Sequence, residues 1–122
     1  MGKWVILFTT ILLVACSTGR VTQESPTLRI GGVFHQSGDA SAWGIAETNA
    51  ALLAIEDWQK EHPDQKIKFV VEDGATDFTK TTLALQKLTT VDKVQVVVGP
   101  TWFGQIGAPF AAENKMLSLI HI

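Results

Sequence analysis

The sequence is poor in the residues that most often carry chemistry. It has one cysteine and three histidines in 122 residues. His35, His62 and His121 share no metal-ligand spacing, and a lone thiol cannot close an internal disulfide. No Gly-x-Gly-x-x-Gly follows a strand-like segment, and neither a phosphate-cradling P-loop nor a Gly-x-Ser-x-Gly elbow is present. The expectation is therefore a non-enzyme with no cofactor, no metal and no catalytic residue. Glu72, Asp73 and Asp77 form the one local acidic cluster, and a solvated strand end with a helix cap accounts for them. Basic stripes are lacking too: ten Lys and Arg face twelve Asp and Glu, for a formal charge of −2, which argues against a nucleic-acid partner. Nor does any apolar run reach the about 20 residues that a spanning helix needs.

The longest apolar run, Trp4 to Val14, is interrupted only by Thr9 and Thr10 and follows the single charge of Lys3. That is the pattern of an export signal rather than a membrane span. Ala15 and Cys16 follow it. The stretch Leu13-Val14-Ala15-Cys16 resembles the lipobox of bacterial lipoproteins, in which the cysteine thiol takes a diacylglyceryl group and the chain is cut before it. A thiolate is the nucleophile suited to that transfer. Residues 1–15 are then a lipoprotein signal, and polar residues 16–27, with Gly19 and Pro26, a flexible tether. The reading places the protein in the cell envelope, held to the membrane on the extracytoplasmic side.

From Leu28 onward, strand-like and helix-like segments alternate. Leu28–Phe34, Lys66–Glu72 and Val94–Gly99 are short, apolar and partly β-branched, as buried strands are. Gly31 and Gly32 imply close packing on a neighbour. Between the strands the pattern predicts a helix over 42–61 with Ser41 as N-cap and a stripe of Ile45, Leu52, Ile55 and Trp58, with Glu47 on the wet side. A second helix runs to about Thr90 with Asp77 or Thr79 as cap. A third spans about 104–115, with Pro109 tolerated if it lies in the first turn, and Leu117–Ile122 opens a fourth strand. Such alternation predicts an α/β fold with a parallel, Rossmann-like sheet. Ligands in such sheets sit outside the carboxyl ends of the strands, so loops 35–43 and 100–105 are the candidate site.

Several passages then resemble one family. Ser37-Gly38-Asp39-Ala40 with Gly44 opening a helix, Val71-Glu72-Asp73-Gly74, and Val96-Val97-Val98-Gly99-Pro100 followed by Ala112-Glu113-Asn114-Lys115-Met116 are similar in order and spacing to the leucine/isoleucine/valine-binding family. These are the type I periplasmic solute-binding proteins of ABC importers. The resemblance implies that residues 28–122 form part of the first of two lobes, so that the chain is an N-terminal fragment whose last residues need not be native. It also implies a small-molecule solute, an amino acid or a related amide or carboxylate, and an ABC permease as partner. Carried over by position, the ligand-binding candidates are Ser37, Gly38, Trp43, Thr101, Trp102, Phe103 and Gly104. The sequence departs from the family at His35-Gln36, which replaces a Gly-Pro, and at Trp102-Phe103, which replaces small hydroxyl residues. Those aromatics either stack on a ring-bearing or apolar ligand or pack within or between lobes. Trp43 either lines the cleft mouth or covers the sheet edge, and Ser37-Gly38 either bind or simply turn.

Two other readings stay open: a sensor or regulatory lipoprotein of the same fold acting on a protein partner, and an envelope enzyme of α/β fold with its catalytic residues elsewhere. The anchor can be tested directly. The exported wild type is expected to carry a diacylglyceryl mass on Cys16 and to enter a detergent phase, and Cys16→Ser to do neither. An unmodified Cys16 would remove the anchor alone.

Overall fold

The computed structural model describes residues 26–119. The 1–15 signal, Cys16, nearly all of the 16–27 tether, and His121 lie outside the described residues. Strand β1 (Leu28–Phe34) forms as its apolar, β-branched composition requires, and its burial deepens toward the carboxyl end. It pairs in parallel with β2 (Ile67–Asp73) along its whole length, from Leu28 opposite Ile67 to Phe34 opposite Asp73. On its other side it pairs with β3 (Val96–Val98), which pairs in turn with β4 (Leu117–Leu119). The order is β2-β1-β3-β4, all parallel, as the alternating pattern predicts.

The helices α1 (Ser41–Glu61), α2 (Phe78–Thr90) and α3 (Gly104–Glu113) are the crossovers. The chain moves from β1 to β2 in one direction, then back across β1 to β3 and on to β4. Crossovers of one hand that reverse direction must lie on opposite faces. Accordingly, Val33 and Val97 pack with Ala84, Leu85, Leu88 and Val94 on the α2 face, joined by Ile106 and Phe110 of α3. Leu88 is fully buried, and a Cβ at Gly31 would come within 2.9 Å of its Cδ1, so this close approach needs a glycine in the strand. The alternate strand residues, Phe34 and Val98, face the other way, toward Ala50 and Ala51 of α1.

Three local expectations are corrected. Asp77, not Thr79, caps α2 by accepting from the Lys80 N–H at 2.8 Å, but Ser41 does not cap α1; Ala40 stands at that position with no side-chain bond. Pro109 lies sixth in α3, past the first turn, so this short helix forgoes one internal hydrogen bond. Most informative is α1. Ile45, Leu52 and Trp58 of the expected stripe are 50%, 48% and 43% exposed, whereas Gly44, Thr48, Ala51 and Ile55 turn toward the sheet. The reason is distance. A Cβ at Gly44 would meet the His35 carbonyl oxygen at 2.1 Å, so the helix approaches the strand through this glycine, and Ile45, Leu52 and Trp58 are left outside while Ile55 keeps its place in the expected stripe. α1 also leaves part of its face open. Beside it a groove of about 450 Å³ is lined by Phe34, Ala50, Ala51, Val98 and Leu119.

The two sides of α2 should respond differently to truncation. Leu88→Ala is expected to cost about 2–5 kcal/mol in chemical denaturation, as loss of a fully buried leucine does. Leu83→Ala, at a side chain 57% exposed, should stay within about 0.5 kcal/mol.

Candidate functional site

Because β1, β2 and β3 are adjacent and parallel, the loops that follow them open on one rim. The loop after β1 begins with buried His35 and continues through exposed Ser37, Gly38 and Asp39. The loop after β2 is Gly74 to Asp77, and that after β3 runs from Gly99, through a cis bond to Pro100, to Phe103. The rim is thus built from the two segments that the sequence singles out and from a third, after β2, that it does not.

Asp73 ties the first two loops together. Its Oδ1 accepts from the backbone N–H of Ala75 at 2.7 Å, of Gln36 at 2.9 Å and of Ser37 at 3.3 Å, and its Oδ2 accepts from the Ser37 hydroxyl at 2.6 Å. Partial burial by itself raises the Asp73 pKa. The hydrogen bonds from the Ser37 hydroxyl and from the Ala75, Ser37 and Gln36 amides outweigh it, so the carboxyl is held below its ordinary value. The knot also holds strained backbone. Ala75 and Thr76 have φ of 49° and 51°, left-handed values that cost side-chain-bearing residues about 1–2 kcal/mol each. Ala75 is fixed by Asp73. Thr76 is fixed by His35, whose Nδ1 accepts its N–H at 2.9 Å, while the Thr76 hydroxyl accepts from Ala40 N–H and donates to the Ser37 carbonyl. Gly38, at φ 81°, completes the turn in a conformation natural to glycine.

Three contacts bring the third loop to the same place. The Thr101 hydroxyl donates to Glu47 of α1 at 2.9 Å, so Glu47 serves the rim rather than solvent alone. Trp102 meets Trp43, with ring centroids 5.7 Å apart, and the two are 50% and 62% exposed. Trp102 is therefore a surface ring among the described residues. Phe103 is half-buried and packs edge-on against His35 at 5.6 Å and Phe78 at 5.9 Å. Gly104 opens α3 beside it.

His35 is the least expected member. It is 1% exposed, and its Nε2 has no hydrogen-bond partner among the described residues. A buried polar atom left so costs about 1–3 kcal/mol. Electrostatics single out two further features. The Ala40 and Phe103 caps of α1 and α3 supply no side-chain bond, and neither helix has an acid in its first turn, whereas α2 carries Asp77. Backbone carbonyls take part of this role, Gly38 and Ala40 accepting from the Ser41 and Trp43 N–H groups and Phe103 from that of Ile106, so what the amino ends of α1 and α3 present toward the rim is chiefly the partial positive charge of the helix with no acid against it.

The structure therefore brings Ser37, Gly38, Trp43, Thr101, Trp102, Phe103 and Gly104 to one rim. Asp73, Thr76, Glu47 and His35 were missed as its fixtures. Asp73-Gly74 at a strand end is a turn signal that could have flagged the first; nothing in the sequence marks the others. A second groove, near Pro26, Leu28 and Trp58, lies at the opposite end of the sheet, away from these loops.

A family model for periplasmic binding proteins matches residues 27–121. Among solved structures, the chain is 25% identical to the branched-chain amino acid transporter substrate binding protein LivJ from Streptococcus pneumoniae, in complex with isoleucine. That match has a TM-score of 0.72 and covers 78% of this chain and 28% of that one. A solute binding protein of an ABC transporter from Rhodopseudomonas palustris, in complex with 3,4-dihydroxybenzoic acid, is 25% identical at a TM-score of 0.69, over 77% of this chain and 26% of that one. A possible leucine/isoleucine/valine-binding protein from Rhodopirellula baltica is 24% identical at 0.69, covering 76% and 26%. The chain spans about a quarter of the length of these solved proteins. No curated protein sequence matches it.

The Asp73 knot predicts a pH signature. A carboxyl with a folded pKa below its unfolded value stabilises the protein fully above the unfolded pKa, and that contribution is lost as pH falls through the folded one. Asp73→Ala should cost about 0.5–2 kcal/mol at neutral pH, the range of a lost side-chain cap. The stability gap between wild type and variant, followed by denaturation at stepped pH, should begin to narrow as pH falls below about 4 and close only below the folded pKa.

Proposed function

The chain belongs to the periplasmic binding protein family, and on that footing we propose that it supplies one wall of the ligand cleft in an extracytoplasmic solute-binding protein that serves an ABC importer. The observation that carries the reading is the convergence of two helix starts without a side-chain cap or first-turn acid, at Ala40 and Phe103, on one rim with the exposed Trp43–Trp102 pair. Helix amino ends favour a negative group, because orphan N–H donors and the helix dipole act together. The ring pair offers an apolar platform beside them. A small solute with a carboxylate at one end and an apolar or ring-bearing body at the other suits that arrangement. Isoleucine and 3,4-dihydroxybenzoate, the ligands of two similar proteins, both have this form.

Ser37, Gly38, Thr101 and Gly104 lie on the carboxylate side of this scheme, and Trp43, Trp102 and Phe103 on the side of the body. The mechanism is closure of a second lobe over this rim, with ligand contacts to both lobes biasing the closed state, followed by delivery to the permease. No step of it breaks a covalent bond. Lipidation at Cys16 would keep the receptor near the permease, on the extracytoplasmic side.

Calorimetry on the full-length protein tests this with L-isoleucine and 3,4-dihydroxybenzoate, each beside the amide in which the carboxylate is replaced. At least one acid is expected to bind at micromolar concentration or below, and its amide at least tenfold more weakly. Trp102→Ala should weaken the acid about three- to tenfold, the worth of one aromatic contact. Absence of binding by both acids would refute the reading.

A further inference from the structure

His35 has two ring nitrogens with different surroundings. Nδ1 accepts the Thr76 N–H at 2.9 Å and so must offer a lone pair there, which puts the ring hydrogen on Nε2. That Nε2–H is a donor, it is buried, and no oxygen or nitrogen of the described residues accepts it. The aromatic neighbour of the imidazole is Phe103, crossing it at 81°. Phe103 is also the residue that caps α3 without a side-chain bond. The ring sits where it does because two glycines leave it room. Gly44 permits the approach of the His35 backbone, and a Cβ at Gly74 would stand 2.9 Å from Nδ1.

We propose that the Nε2–H of His35 is a hydrogen-bond donor to an anionic oxygen of the solute, with Phe103 as the ring that covers it and must turn aside. The inference rests on the solute-binding reading above and adds to it a donor that neither the loop glycines nor the helix starts provide. Three observations meet at this point. An unpaired donor is buried at the root of the first loop, the imidazole that bears it packs edge-on against Phe103, and Phe103 is the residue at which a helix without a side-chain cap or first-turn acid begins. In this proposal a carboxylate oxygen near the start of α3 takes the Nε2–H once Phe103 has turned aside. A backbone pin alone would need only Nδ1.

Two substitutions separate the nitrogens. His35→Asn keeps an acceptor at the Nδ1 position for Thr76 and removes the Nε2–H. His35→Gln places an amide N–H near Nε2 and loses the acceptor. In the full-length protein, titrated with L-isoleucine and with 3,4-dihydroxybenzoate, His35→Asn is expected to weaken at least tenfold whichever probe the wild type binds. His35→Gln should stay within about threefold of wild type. Nitrogen-15 NMR of histidine-labelled wild type should show Nε2 protonated beforehand and its N–H resonance moving downfield when the probe is added. Equal affinity of His35→Asn and wild type overturns the proposal, as do equal losses in the two variants or an Nε2–H signal that ignores the probe. That resonance decides the matter even if a variant does not fold. A wild type that binds neither probe overturns the solute-binding reading itself, and this inference with it.

Discussion

The arrangement of the rim depends on one constraint: β1 is bonded in parallel on both sides. Its seven-residue register with β2 and its shorter register with β3 leave no freedom in where the three carboxyl ends emerge. A one-residue slip would turn Val33 away from Leu85 and Leu88 and carry Phe34 into their place, so side-chain packing on both faces enforces the register. Everything functional in this chain follows from having three strand ends side by side, each continuing into a loop and a helix whose amino end faces outward.

The loops themselves are held by polar bonds rather than by bulk. Asp73 receives four hydrogen bonds from three residues on two loops, and the consecutive left-handed residues Ala75 and Thr76 persist because Asp73 and His35 bind their amides. A rim fixed in this way would lose little entropy on taking up the proposed ligand. The third loop is attached differently. Its root is held by the Gly99 N–H, which donates to the Leu119 carbonyl, but beyond Pro100 it meets the other rim segments through one hydroxyl–carboxylate bond, Thr101 to Glu47, and through ring contacts, which allow rearrangement more readily than a network of amide bonds.

Fold class, element order and all four strand positions are legible in the sequence because valine-rich segments between turn signals have few other uses. The candidate rim is legible as loops, since a parallel sheet dictates which ends matter. What could not be read is how side chains from different loops meet. Asp73 looks like an ordinary strand end until Gln36 and Ser37 arrive from 37 and 36 residues away. The face of α1 was misassigned for a related reason. Hydrophobic spacing favours Ile45, Leu52 and Trp58 beside Ile55, but near the start of α1 the strand comes so close that only a glycine fits at position 44, and of the stripe Ile55 alone turns toward the sheet. Periodicity reports which residues dislike water and is silent on the clearance available to them. His35 is a similar case, a polar residue whose burial is set by two glycines that lie 9 and 39 positions further along the chain.

The incomplete covering of the α1 face has a bearing on solution behaviour. β4 is an edge of the sheet among the described residues, and its three residues, Leu117-Ser118-Leu119, contain no charge or proline to discourage pairing. Leu117 and Leu119 are more than half exposed, and Leu119 borders the open groove beside α1. An apolar edge with unmatched backbone groups is a template for any passing strand. Residues 26–119 in isolation would therefore be adhesive along that side, and a blocking strand or helix there matters as much for keeping copies apart in solution as for completing a core.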